Sequence, residues 1–135
     1  MEVKLESKIG KLNSDSNRIY CFLSDCNNFK QLTANDKVKE WQSDSDSCSF
    51  TIEQIGSVVF RIVERRQDEL IKFSIENAQA ENIFLWMQLK SVNSNDTRVK
   101  LTAKLDVNPM MKMFITKPVK NLLDKIVETL ESICK

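Results

Sequence analysis

Histidine is absent from this 135-residue sequence, and glycine occurs only twice, at Gly10 and Gly56. Without histidine there is no Ser-His or Cys-His nucleophile pair, no imidazole-ligated metal, and no side chain whose ordinary pKa lies near neutral pH. Two isolated glycines cannot form the glycine-rich loops that cradle nucleotide phosphates. Cys21, Cys26, Cys48 and Cys134 include no C-x-x-C pair, so a zinc site would need all four to converge from distant segments. Reduced, buried thiols are expected instead. Neither sign of charge is in excess: 20 Lys plus Arg stand against 19 Asp plus Glu, a formal net charge of +1. That balance argues against nucleic acid as a partner. No apolar run reaches the roughly 18 residues of a membrane span. The start, "MEVKLESKIGKL", alternates charged and apolar residues and lacks a signal-peptide core. The expectation is a cytoplasmic protein with no metal, no cofactor and no catalytic residue that can be named.

What is present is regular patterning. A chain of this length builds one domain, residues 1–135, burying roughly two thirds of its unfolded surface. Residues 2 to 12 alternate, with Val3, Leu5, Ser7 and Ile9 on one side, which predicts a half-buried strand. Ser14 or Asp15 can then cap a short helix whose buried stripe is Ile19, Phe22 and Leu23, and "NNFKQL" supplies a second helical turn. From Lys37 onward strand follows strand. "CSFTI", "SVVFRIVER", "LIKFSIE" and "TRVKLTAKLDV" each carry apolar residues at every second position, while "NIFLWMQL" is apolar on both faces. The connections "SDSDS", "RQDE" and "NSND" are short and polar, as in antiparallel hairpins, with Asn and Asp in place of glycine.

The last segment predicts one long helix. Asn108 is a good N-cap and Pro109 suits the first helical position. Met111, Ile115, Val119, Leu122, Ile126, Leu130 and Ile133 recur at spacings of three and four, and the stripe keeps phase across Pro118. About 26 residues at the helical rise span roughly 39 Å. A bend is expected at Pro118, which removes one hydrogen bond and crowds the preceding turn. An alternative start at Thr116 would put that proline in the first turn.

Strand, two short helices, further antiparallel strands and one long helix is the order of the START-like, or birch-allergen-like, superfamily (SRPBCC, often filed as polyketide cyclase), and the whole chain resembles it. "FLSDCNNF", "RIVERRQDELIKF" and "NPMMKMFITKPVKNLLDKI" carry the likeness. The resemblance implies an α+β helix-grip fold, in which a curved antiparallel sheet of six to seven strands wraps one long C-terminal helix. It also implies a cavity between sheet and helix for a small apolar ligand such as a lipid or polyketide. On that basis the expected walls are Trp41, Phe50, Phe60, Phe73, Met87, Leu101, Met111, Ile115 and Leu122, which could equally be filled core. Asp25 resembles a recurrent family aspartate after the first helix, with helix termination as its expected task. Ser7 and Glu64 share the inward parity and could orient a ligand or meet water at a strand end. The rival functional class is an interaction module. If Ile83, Leu85, Met87 and Leu89 face inward, Phe84 and Trp86 stand on the convex face and could form a homodimer or partner contact. An enzyme of the cyclase kind would need a positioned acid or base that the sequence does not identify.

Overall fold

The computed structural model describes residues 1–33 and 38–134. Lys37 and Lys135, at the ends of an expected strand region and of the expected helix, lie outside those residues. Among the described residues eight strands form one sheet: β1 (Glu2–Glu6), β2 (Gly10–Leu12), β3 (Val38–Ser43), β4 (Ser47–Ile52), β5 (Gly56–Arg66), β6 (Leu70–Asn77), β7 (Ala80–Asn93) and β8 (Asp96–Asp106). Between β2 and β3 lie α1 (Ser16–Leu23), a 3₁₀ turn (Cys26–Asn28) and α2 (Phe29–Thr33), and α3 (Pro109–Ile133) closes the chain. Every strand pairing is antiparallel, in the order β1-β8-β7-β6-β5-β4-β3, with β2 also on β8. This is an α+β helix-grip fold, a curved antiparallel sheet with one long helix. No described helix is long and apolar enough to cross a membrane.

The strand count exceeds six or seven because the expected first strand breaks in two. Its inward phase is odd at Val3 and Ser7 and even at Gly10 and Leu12, so the alternation slips by one residue between them and leaves Ile9 66% exposed. The slip is held from both sides. Ser7 N–H donates to the Leu101 carbonyl at 2.8 Å, and its hydroxyl accepts from the Leu101 N–H at 2.9 Å. From α3, the Asp124 carboxylate accepts from the Lys8 N–H at 2.7 Å and Glu131 from the Lys11 N–H at 3.3 Å. Ser7 therefore completes the sheet and is not free to orient a ligand.

Partial burial works against ionisation of Asp124, but the Lys8 N–H and the Lys120 ammonium outweigh it and hold the carboxyl below its ordinary range. A carboxyl depressed in the folded state adds stability above its unfolded pKa of about 3.9, and that stability disappears as the pH falls through the depressed value. Asp124→Asn is accordingly expected to cost about 1–2 kcal/mol at neutral pH. The gap from the parent should close as urea denaturation is repeated at progressively more acid pH. A pH-independent gap would mean that the charge on Asp124 contributes nothing.

Gln54 in the β4–β5 turn (φ 76°) and Asp68 in the β5–β6 turn (φ 64°) take the left-handed region, and Asn82 (φ 50°) does so inside β7, where the register with β8 slips between Glu81 and Phe84. The "SDSDS" turn closes around Asp44, whose Oδ1 accepts from the N–H groups of Asp46 and Ser47, both at 2.8 Å. Asp25 caps the start of the 3₁₀ turn by accepting from Asn27 N–H at 2.9 Å, whereas α1 ends with Ser24 as its C-cap, so Asp25 makes a local hydrogen bond but does not terminate the helix as expected. Asn108 caps α3 by accepting from Met111 N–H at 2.8 Å. The helix then runs without interruption through Pro118, so the long form holds rather than a start at Thr116.

The concave face is filled unevenly. A chain of rings crosses it from the β3 edge: Trp41 on Phe50 (centroids 5.1 Å), Phe50 on Phe60 (5.5 Å), Phe60 on Phe73 (5.9 Å) and Phe73 on Phe29 (5.2 Å). Trp41 joins them because β3 breaks register between Lys39 and Gln42, with Glu40 at φ 57°. With Ile19, Leu23 and Leu32 these rings close the end of the sheet under α1 and α2. Toward the start of α3, Val3, Leu105, Val107 and Ile115 form a separate small cluster.

Candidate ligand-binding site

Space remains between the ring-filled end and the small cluster at the start of α3. An inner cavity of about 80 Å³ lies under the middle of α3, walled by Val58, Phe60, Ile75, Ile83, Leu85, Ala103, Leu105, Ile115, Val119, Leu123 and Ile126. A cleft of about 510 Å³ lies outside it, between Lys117–Lys125 of α3 and the β4–β5 turn. Ile52, Ile55 and Leu122 border both spaces. The turn is pinned in place by the Asn77 side-chain amide, which donates to the carbonyls of Ile55 at 3.1 Å and Ser57 at 2.8 Å.

Polarity changes sharply from outside to inside. Glu53, Gln54, Lys117, Asn121 and Lys125 rim the cleft. The inner walls are aliphatic except for Phe60, and their polar members are Asn77 and Gln79. Asn77 is committed to the turn, and its Oδ1 also accepts from the Gln79 N–H at 2.9 Å. The Gln79 side-chain amide has no hydrogen-bond partner among the described residues and is the one polar side chain of the inner wall with capacity to spare. Among the described residues no titratable group lines the inner cavity, and none of them offers an acid or base there for general catalysis.

The nine expected wall residues divide into three sets. Phe60, Ile115 and Leu122 line the inner cavity. Trp41, Phe50 and Phe73 belong to the ring chain, and Met87 and Leu101 are core residues with 1% and 0% exposure. Met111 packs on the small cluster at the start of α3. The sequence pattern puts Val58, Ile75, Ile83 and Leu105 on the inward parity but does not mark them as walls, because alternation does not report where along a strand a space lies. Nor does it mark Ala103, whose small side chain helps leave the space open.

Other chemistry-bearing groups are structural or peripheral. All four cysteines are free of disulfides. Cys26 and Cys48 are buried together; contact with Cys26, then burial, push the Cys48 thiol up, away from the thiolate a nucleophile requires. Glu64 pairs with Arg66 at 3.0 Å with its side chain 41% exposed. Among the described residues no group of three or more Cys, Asp or Glu side chains converges as metal ligands would. On the convex face Phe84 and Trp86 stand 6.1 Å apart, with Lys72 Nζ over both rings at 4.7 and 5.2 Å and Lys104 Nζ 5.8 Å from the Trp86 ring. Leu85, Met87 and Leu89 are buried, which settles the parity of β7.

No family model and no curated protein matches the sequence. Solved structures match its fold closely. The protein XoxI from Bacillus cereus aligns with a TM-score of 0.76 at 10% identity, over 98% of this chain and 94% of that one. Norcoclaurine synthase from Thalictrum flavum, in complex with dopamine and hydroxybenzaldehyde, aligns at 0.75 and 12%, over 98% and 86%. A START superfamily protein from Mycobacterium smegmatis aligns at 0.68 and 13%, over 98% and 96%. At these identities the likeness is one of fold, and the fold is START-like.

Proposed function

We propose that this protein binds a small, largely apolar molecule non-covalently, as a carrier or binding protein for a lipid or polyketide-like compound. The observation that supports this most directly is a pair of adjoining spaces beneath α3, a polar-rimmed cleft of about 510 Å³ and an apolar recess of about 80 Å³ that share Ile52, Ile55 and Leu122 as walls. Small-molecule sites are typically about 300–1,000 Å³, mostly apolar, with few polar groups. The ligand's apolar end enters the recess, Gln79 offers a single hydrogen bond, and the bulk lies in the cleft against Ile52, Ile55 and Leu122. Removal of apolar area from water supplies the affinity, expected near micromolar, about −8 kcal/mol. The aromatic molecules bound by norcoclaurine synthase are consistent with this reading. Its chemistry is not carried over, since no acid or base lines the recess.

Titration with a fluorescent fatty acid or aromatic probe tests the proposal. Saturable binding is expected, and Ala103→Leu, which extends a side chain into the recess, should weaken it at least about tenfold, or 1.4 kcal/mol. A folded parent that binds no probe saturably, or a folded Ala103→Leu variant that binds as well as the parent, would overturn the reading.

A second reading rests on a separate observation, the Phe84–Trp86 pair on the convex face. Two large rings on an outer sheet surface suit a homodimer or protein-partner contact. On that reading the protein is an interaction module, and the two roles can coexist because they use opposite faces of the sheet.

A further inference from the structure

We propose that the N-terminal half of α3 is a docking surface for an anionic lipid membrane, set beside the mouth of the cleft. Met110, Met113 and Phe114 recur at spacings of three and four on the outer face of the helix and are 71%, 83% and 67% exposed. Large apolar side chains usually turn inward, but the inner face here is occupied by Ile115, Val119 and Leu123. Lys117 continues the outer stripe, with Lys120 and Lys125 beside it, and Lys112 is exposed within the same first turns. From Pro109 to Leu123 the helix carries no acidic residue. Lys112, Lys117 and Lys125 have no carboxylate partner among the described residues, whereas Lys120 pairs with Asp124 at 3.2 Å. Cations early in a helix oppose its macrodipole, so their placement does not stabilise the isolated chain.

The charge pattern selects the occupant. The net charge of the chain is only +1, so this local excess is not a property of the whole surface. The helix's own acids, Asp124, Glu128 and Glu131, lie in its second half and are held against Lys8 and Lys11. Glu2 and Glu81 both stand in register with Asp106, on the parity opposite to buried Val3 and Leu105, and so on the face of the sheet away from α3. A second copy of this surface would set lysine against lysine. An anionic bilayer satisfies both features, with headgroups for the lysines and the acyl boundary for Met110, Met113 and Phe114. Lys117 and Lys125 also line the cleft, across from Glu53 on the β4–β5 turn, so docking turns a mouth of net positive charge toward the lipid. This surface is argued independently of what the cleft binds.

Co-sedimentation of the full chain with vesicles tests it. The parent should pellet with mixed phosphatidylserine–phosphatidylcholine vesicles and stay in solution with phosphatidylcholine alone. Lys117→Glu/Lys125→Glu, on and beside the outer stripe, should weaken vesicle binding at least about twentyfold, since one lysine near an anionic surface is worth about a fivefold change. Met113→Glu/Phe114→Glu should weaken it at least about tenfold by removing the apolar insertion. Neither Met113 nor Phe114 lines the cleft, so this second variant should bind the fluorescent probe as the parent does. Failure of docking would therefore be distinct from failure of ligand binding. No pelleting by the parent, equal pelleting with both vesicle types, or folded variants that pellet like the parent would overturn the proposal.

Discussion

Phe73→Ala is expected to destabilise this protein by about 3–5 kcal/mol, among the largest effects available to a single substitution in the chain. Phe73 is 0% exposed, and its ring lies 5.2 Å from Phe29 and 5.9 Å from Phe60 by centroids. It thus joins α2 to the centre of the sheet, and truncation would open a void between elements that cannot collapse onto each other without moving the helix. A domain of this size has about 5–15 kcal/mol of stability in total, so the loss would lower the thermal midpoint by roughly 10–20 °C. Calorimetry on parent and variant measures it. The convex-face pair is the comparison. Phe84→Ala/Trp86→Ala removes two half-buried rings and their contacts with Lys72 and Lys104, each worth about 0.5–1 kcal/mol. That double variant should cost less than about 3 kcal/mol, and sedimentation velocity should show whether it loses self-association. A Phe73→Ala variant as stable as the parent would contradict the description of the closed end of the sheet.

The contrast between Phe73 and Phe60 shows what the sequence could and could not convey. Both alternate with polar residues, and alternation reports only which face of a strand is turned in. It identified the inward sets of β4, β5, β6 and β8 and most of the stripe of α3, although Ile133, at the end of the helix with no described element packed over it, is 46% exposed. Position along the strand decides whether an inward side chain meets α2 or the gap under α3, and that depends on register and on where the sheet breaks. Neither is visible in a residue pattern of period two. Trp41 is the clearest case. Its place in the ring chain depends on a register break at Glu40, a residue with no turn-forming signature of its own. The recess is also defined by a residue that supplies little, Ala103, and a small side chain in a strand gives no local signal of the space beside it. The outward direction of Met110, Met113 and Phe114 follows only once Ile115 and Leu123 are seen to take the inner face.

Gly10 is the position where a single added carbon should be most damaging. A Cβ there would lie 2.5 Å from Val127 Cγ1 and 3.1 Å from Val99 Cγ1, both on buried side chains of α3 and β8. Replacing glycine in a strand normally gains about 0.4–1 kcal/mol through the unfolded chain. Here the clash reverses the sign, because β2 sits directly under α3 and both valines are buried in a close-packed core. Gly10→Ala is expected to lose about 1–3 kcal/mol and Gly10→Val about 3 kcal/mol, read from denaturation midpoints. Val127→Ala alone should also destabilise by leaving a void. Combined with Gly10→Ala it should cost less than the sum of the two, since the new methyl enters the space the valine vacates. Gly56 behaves differently: nothing lies within 4 Å of a Cβ built there, and its φ of +94° is the whole constraint, so Gly56→Ala carries backbone strain without a clash. Simple additivity of Gly10→Ala and Val127→Ala would show that α3 does not press on β2 at this point. The short strand would then owe its place to its pairing with β8 and to the Lys8 and Lys11 backbone bonds to Asp124 and Glu131.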